Sequence, residues 1–176
     1  LSRPFEYRFC PRCAGNLELK IVKESEPQRL VCDRCGLVFY LDPKVATGAI
    51  IEMDGGVVLL KRGIEPAYGK WVVPGGFVDR YETVPDAVAR ETLEESGLTV
   101  RVGALVGVYS YPDSEVIILM YKAAYVSGTL SADDESIEAG LFPEDRIPWD
   151  DLAFPSTRDA LRDYFKQKEA GKQTRR

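Results

Sequence analysis

Histidine is absent from the 176 residues. Without an imidazole there is no histidine-dependent triad, no His-ligated metal centre and no imidazole base, so chemistry near neutral pH rests on carboxylates, metal-bound water or another residue type. Long apolar runs are lacking too. No stretch reaches the roughly eighteen apolar residues of a membrane span, and the opening LSRPFEYRFC lacks the apolar core of a secretory signal. No membrane partner is expected. Concentrated positive charge is also missing: residues 1–44 carry eight Lys or Arg against six Asp or Glu, and residues 45–176 carry fifteen against twenty-two. An acidic main domain is a poor surface for phosphate backbones, which excludes nucleic acid as the expected partner. Local basic groups still suit a small phosphorylated ligand.

What is present is 45% hydrophobic content, enough for one ordinary core and a small accessory unit. The four cysteines fall as two C-x2-C pairs, Cys10 with Cys13 and Cys32 with Cys35, eighteen residues apart. Two disulfides would satisfy the count, but the spacing matches a four-thiolate site for structural Zn²⁺ better. Four thiolates leave no open coordination position for catalysis. They favour a reducing compartment, so a cytoplasmic location is the expectation.

The organisation follows. Residues 1–44 hold too little apolar material for a secure core and read as two short ribbons joined through one metal, with LDPK (Leu41–Lys44) as hinge. Residues 45–176 read as mixed α/β. VATGAII and GVVLLKR are strands around the turn MDGG, and KWVVPGG is a short strand entering a glycine loop. Thr83 caps a helix with Asp86 at its third position, and Gly97 ends it after Ser96. TVRVGALVGVYSY and VIILMYKAAYV are neighbouring long strands, and EAGLFP adds another. PSTRDALRDYFKQKEA is a terminal helix that docks Leu161, Tyr164 and Phe165 on the sheet, and GKQTRR is a frayed tail.

On a wheel of 100° per residue, with Glu91 at zero, Glu94 falls at about 300° and Glu95 at about 40°. Val88, Ala89, Thr92, Leu93 and Ser96 fill the adjoining arc, giving one edge for burial and another crowded with negative charge. A solvated acidic face is one reading. The other is a Mg²⁺ or Mn²⁺ site, because a hard cation turns the repulsion into attraction to a common centre and favours carboxylate, water and phosphate oxygens. Gly75 and Gly76 just upstream permit close backbone approach, and no i,i+4 lysine lines the face. Glu82 can be returned to this site by the intervening loop. Arg90 is expected to brace that loop through a carboxylate or a backbone carbonyl.

Gly76, Glu82, Arg90, Glu91, Glu94, Glu95, Gly97 and Leu98 together match G-x5-E-x7-R-E-U-x-E-E-x-G-U, where U is usually aliphatic and Thr92 takes the first such position. The segment resembles the box of Nudix hydrolases, and the wider resemblance covers nearly all of residues 45–165. It implies an α/β/α sandwich with a mixed sheet, here preceded by a zinc ribbon. It further implies divalent-metal-dependent cleavage of a nucleoside diphosphate linked to another moiety, and possession of a homodimeric state at the level of the family. By the same resemblance Glu91, Glu94 and Glu95 are metal ligands, Glu82 a supporting ligand and Gly76 the residue that sets the loop.

Two acids compete for the general base, Glu95 beside the metal and Glu138 entering from a downstream loop; Glu135 reads as a solvated loop acid. Arg62 meets substrate phosphate or forms a surface ion pair. Tyr68, Trp71, Phe77, Tyr109 and Tyr111 read as core or as stacking surfaces, with Phe77 and Tyr111 in the better loop positions. A ribbon followed by this domain resembles NADH pyrophosphatases and enzymes acting on FAD or ADP-ribose. The SQPWPxPxS element common in the first group is missing, which puts ADP-ribose or FAD ahead of NADH. A non-catalytic sensor of ADP-ribose-like ligands is the rival of a different class.

Overall fold

The computed structural model describes residues 7–173. The described chain divides into two units that meet in sequence between Pro43 and Lys44. The first carries three short antiparallel strands, β1 (Leu17–Lys20), β2 (Arg29–Cys32) and β3 (Val38–Phe39), in the order β1-β2-β3. The second is built from β4 (Lys44–Met53), β5 (Gly56–Arg62), β6 (Trp71–Val72), α1 (Val84–Ser96), β7 (Leu98–Tyr109), β8 (Val116–Gly128), β9 (Ser136–Phe142) and α2 (Pro155–Gln173).

The main sheet runs β6-β5-β4-β8-β7, with β9 on the other edge of β5. It is mixed, since β4 and β8 are parallel while the other pairs are antiparallel. Asp54 (φ 50°) and Gly55 (φ 80°) both take the left-handed conformation between β4 and β5, which suits a tight two-residue hairpin. Period-two alternation splits the apolar residues between two faces. Ile50, Val57, Leu59 and Met120 pack with Leu161, Tyr164 and Phe165 of α2, whereas Ala49, Ile51, Val58 and Ala123 pack with Val88 of α1. The result is the α/β/α sandwich. Burying each such aliphatic side chain contributes about 1.5–3 kcal/mol.

Helix α2 is also tied to the sheet by polar contacts. Tyr109 donates to Asp163 (3.0 Å), Tyr111 to Asp159 (2.7 Å) and Tyr164 to Glu52 (2.6 Å). The helix runs on through Gln173, so the first part of GKQTRR continues α2 rather than fraying, and residues 174–176 of that segment lie outside the described residues. No described helix is long and apolar enough to cross a membrane.

The first half of β4 is left open where β5 pairs only with Glu52 and Met53. Residues 74–78 fill the opening: Thr47 N–H donates to Gly76 O (2.8 Å), Ala49 N–H to Pro74 O (2.9 Å) and Val78 N–H to Val45 O (3.0 Å). The glycine loop is thus laid along the sheet as a substitute strand.

Candidate active site

The ends of α1 are fixed locally. Thr83 is the N-cap and accepts from Asp86 N–H, while Gly97 (φ 69°) closes the helix with its N–H on Leu93 O at 3.0 Å. Rotation about the helix axis is set by what is buried, namely Ala87, Val88, Thr92 and Ser96. That arc differs from the expected one. Leu93 is 52% exposed, and the side chain of Glu91 is only 14% exposed, so Glu91 turns toward the sheet while Leu93 faces solvent. The acids do not occupy an edge apart from the packing face. Two of them share it.

Arg90 explains how this charge is tolerated. Its Nε donates to Glu82 Oε1 (2.8 Å), Nη2 to Glu82 Oε2 (2.9 Å) and to Phe77 O (3.2 Å), and Nη1 to Glu91 Oε1 (2.8 Å) and Glu94 Oε2 (3.0 Å). Those contacts engage all five guanidinium donors. The missing i,i+4 lysine therefore has a counterpart within the helix, an arginine paired with its i+1 and i+4 neighbours. Arg90 holds Glu82 below the usual carboxylate range and is itself raised by Glu82 and Glu91.

Gly76 lies against Glu91: a Cβ there would stand 2.5 Å from the Glu91 carboxyl carbon. Burial raises the Glu91 carboxyl, with Arg90 opposing the shift. Glu95 is drawn the other way, its Oε2 accepting from Gly75 N–H at 2.7 Å. Burial pushes Glu95 up to about 7 against that donor, and the negative charges of Glu91, Asp133 and Glu135 add to the rise. Glu91 and Glu94 each keep one oxygen off Arg90, and Glu95 keeps one off Gly75. These all-oxygen donors, under-compensated at Glu95, fit a hard divalent cation. They are splayed, however. Among the described residues the cysteines alone bring three or more ligand atoms within 4.8 Å of one another.

The remaining sequence candidates are spread around this centre. Arg62 ends β5, donates from Nε to Pro66 O (2.8 Å) and sits 5.2 Å from the ring centroid of Phe154. Phe77 is half exposed, with the Lys44 ammonium 5.2 Å from its centroid. Tyr111 is directed by Asp159 toward α2. Glu138 lies within β9 and not on a loop, because it pairs in register with Lys61 and meets its ammonium at 3.6 Å. Lys61 stands over Trp71 on the α2 side of the sheet, so Glu138 faces away from α1.

The loop acids that act on Glu95 are Asp133 and Glu135. Glu135 O accepts from Gly63 N–H at 2.6 Å, and Asp133 Oδ1 accepts from Glu135 N–H at 3.1 Å. The acidic run in ADDES was the available signal, but its nearness to Glu95 depends on β9 pairing with β5.

In the smaller unit the two C-x2-C segments fold alike. Cys10 N–H donates to Gly15 O and Ala14 N–H to Cys10 O; Cys32 N–H donates to Leu37 O and Gly36 N–H to Cys32 O. Ala14 (φ 57°) and Gly36 (φ 69°) make matching left-handed turns after the second cysteine of each pair. The sulfurs of Cys10 and Cys35 lie 3.7 Å apart and those of Cys13 and Cys32 3.5 Å apart, and all four cysteines are reduced. Bonds of about 2.3 Å to a central tetrahedral ion give sulfur separations of this size. Amides of Arg34 and Cys35 point at Cys32 Sγ, each at 3.4 Å, and help a thiolate there. The cluster is that of a structural zinc site.

A profile for the NUDIX domain matches residues 42–164, and one described as Nudix N-terminal, a zinc ribbon, matches residues 8–41. The chain is 41% identical over 133 residues to an ADP-ribose pyrophosphatase of Methanocaldococcus jannaschii, covering 73% of this chain and 77% of that protein. It is 30% identical over 143 residues to the NAD-capped RNA hydrolase NudC of Pseudomonas aeruginosa, covering 80% of this chain but only 49% of that relative. In structure it is similar to a NUDIX hydrolase from Nitrosomonas europaea, with TM-score 0.88, 36% identity and 93% of each chain covered. It is also similar to a MutT NUDIX hydrolase from Burkholderia pseudomallei, with TM-score 0.64, 34% identity, and 69% and 98% covered.

Proposed function

The chain belongs to the Nudix hydrolase family, and from that premise we propose that it cleaves the diphosphate linkage of an adenine-containing nucleoside diphosphate derivative, ADP-ribose or FAD. The observation that carries this reading is the set Glu82, Glu91, Glu94 and Glu95 held by Arg90 and Gly75 under the glycine loop. The relative named ADP-ribose pyrophosphatase, aligned over most of both chains, supports the choice of substrate.

Glu91, Glu94 and Glu95, with Glu82 in support, would hold Mg²⁺ or Mn²⁺, which would supply charge neutralisation at the phosphates and a more acidic water. The chain supplies the rest. Gly76 leaves space beside Glu91, and the loop backbone brings the diphosphate close to the acids. Arg62 offers its Nη nitrogens to a phosphate, while Phe77 and Tyr111 border the substrate. We assign the general base to Glu95 ahead of Glu138. Glu95 stands among the acids of α1 with one oxygen off Gly75, where it would meet a metal-bound water, whereas Glu138 is paired with Lys61 on the opposite side of the sheet. The division into a ribbon over 1–44 and a catalytic domain over 45–176 is part of this reading, as are a cytoplasmic location and a homodimer.

NADH is the second reading; the relatives named NAD-capped RNA hydrolase, of which the chain spans about half the length, support a nicotinamide dinucleotide moiety. Incubating the protein with ADP-ribose, FAD, NADH and NAD in Mg²⁺ or Mn²⁺ and resolving the products tests both. AMP with ribose 5-phosphate, or AMP with FMN, is the expected outcome. Saturable binding with no phosphate product would establish a sensor and overturn the hydrolase.

A further inference from the structure

Tyr81 sits in the turn that delivers Glu82, and the fold makes no use of its side chain. The turn is firmly held: Glu82 N–H donates to Asp79 O (3.3 Å), Asp79 N–H donates to Glu82 Oε2 (3.2 Å), and both oxygens of Glu82 are on Arg90. Within it Tyr81 takes φ 71°, a conformation that glycine or asparagine adopts at less cost. Its relative exposure is 104%, and among the described residues the ring and hydroxyl meet no hydrogen-bond or ring partner. The other aromatics near the site are engaged, Phe77 under the Lys44 ammonium and Tyr111 on Asp159. A bulky residue that strains the backbone and covers nothing among the described residues is the kind of feature that accompanies a contact with something outside the chain.

From this combination we infer that Tyr81 is a stacking platform for the planar ring of the substrate, at the rim of the acidic cluster. The inference rests on the diphosphatase reading of the same site. Phosphates joined to the acids through a divalent cation would lie next to the Phe77–Glu82 segment, whose Phe77 carbonyl and Glu82 carboxylate are both fixed by Arg90. A nucleobase or flavin carried a few bonds from those phosphates reaches the exposed ring. Stacking tolerates any planar heterocycle, so Tyr81 contributes affinity for the ring-bearing half and leaves the sugar-phosphate half unaffected.

Calorimetric titration of the full chain in Mg²⁺ tests this, using AMP as the ring-bearing probe and ribose 5-phosphate as the ring-free one. Tyr81→Gly removes the ring and relaxes the turn, so its thermal midpoint is expected to equal or exceed that of the parent. AMP affinity is expected to fall five- to tenfold or more in Tyr81→Gly and to stay within twofold in Tyr81→Phe, with ribose 5-phosphate unchanged in both. AMP affinity within twofold of the parent in Tyr81→Gly, or parent binding of AMP no tighter than of ribose 5-phosphate, overturns the assignment. Ring-dependent binding without AMP release from ADP-ribose, FAD or the nicotinamide dinucleotides would instead uphold Tyr81 and sink the hydrolase reading alone.

Discussion

The α-carbon of Gly76 faces the carboxylate of Glu91 so closely that all three terminal atoms of Glu91 would lie within 2.6 Å of an added Cβ. Glu91 in turn is held by Arg90, so neither partner has free room. Gly76→Ala is expected to displace the carboxylate or the loop, at about 1–3 kcal/mol of stability. Metal-dependent turnover should drop by two orders of magnitude or more. Urea midpoints and initial rates check the two effects separately.

Arg90 touches Glu82, Glu91, Glu94 and the loop carbonyl of Phe77 together. A lysine offers three donors from a single point and cannot reproduce the planar arrangement. Arg90→Lys is therefore expected to behave nearly as badly as Arg90→Ala, with a lowered urea midpoint and Mg²⁺ affinity weakened about ten- to a hundredfold. Titration calorimetry with Mg²⁺ alone gives the readout, independent of catalysis.

Glu95 gives the protein without added Mg²⁺ a distinctive pH response. Its folded carboxyl is raised to about 7, above the ordinary value of 4.5, so the folded state holds this proton more tightly than the unfolded state. Stability from this group is complete below the ordinary value and is lost as pH rises toward 7, on the order of 2 kcal/mol. Chemical denaturation between pH 5.5 and 8, with zinc retained, should show the decline and then a plateau. Glu95→Gln should flatten it.

Thr92 occupies the position in the motif where an aliphatic residue is usual. It is fully buried, and among the described residues its Oγ1 has no hydrogen-bond partner. Thr92→Val keeps the shape and removes the unpaired hydroxyl, and a gain of about 1 kcal/mol is expected. Thermal or urea unfolding measures it, with turnover unchanged.

The four cysteines are placed to hold the smaller unit through one zinc ion, so Cys32→Ser or chelation should abolish bound zinc and unfold that unit. Both hydrophobic clusters of the larger unit lie within its own residues, and its amide spectrum should persist. Metal analysis and amide NMR on the full chain check both statements.

Much of this was legible in local sequence. Thr83 and Gly97 mark the ends of α1, the turn MDGG marks where β4 gives way to β5, and the spacing of the acids marks the candidate site. What escaped the sequence depends on long-range placement. The wheel set Glu91, Glu94 and Glu95 apart from the packing arc, but the sheet buries the side on which Glu91 lies and leaves Leu93 outside. Glu138 looked like a loop residue until β9 paired it with Lys61. Asp133 and Glu135 act on Glu95 only because β9 lies along β5. Nothing in the sequence singles out Tyr81, because the sign of a backbone dihedral is not written in a tyrosine.

The bonds from Thr47, Ala49 and Val78 that join residues 74–78 to β4 carry a dynamical consequence. On the proposed reading this segment meets phosphate, yet it is tethered like interior sheet, so the amide of Val78 on β4 and that of Gly75 on Glu95 should exchange with deuterium slowly and not on the timescale of surface turns. A diphosphate recognised there would meet a backbone already fastened before it arrives.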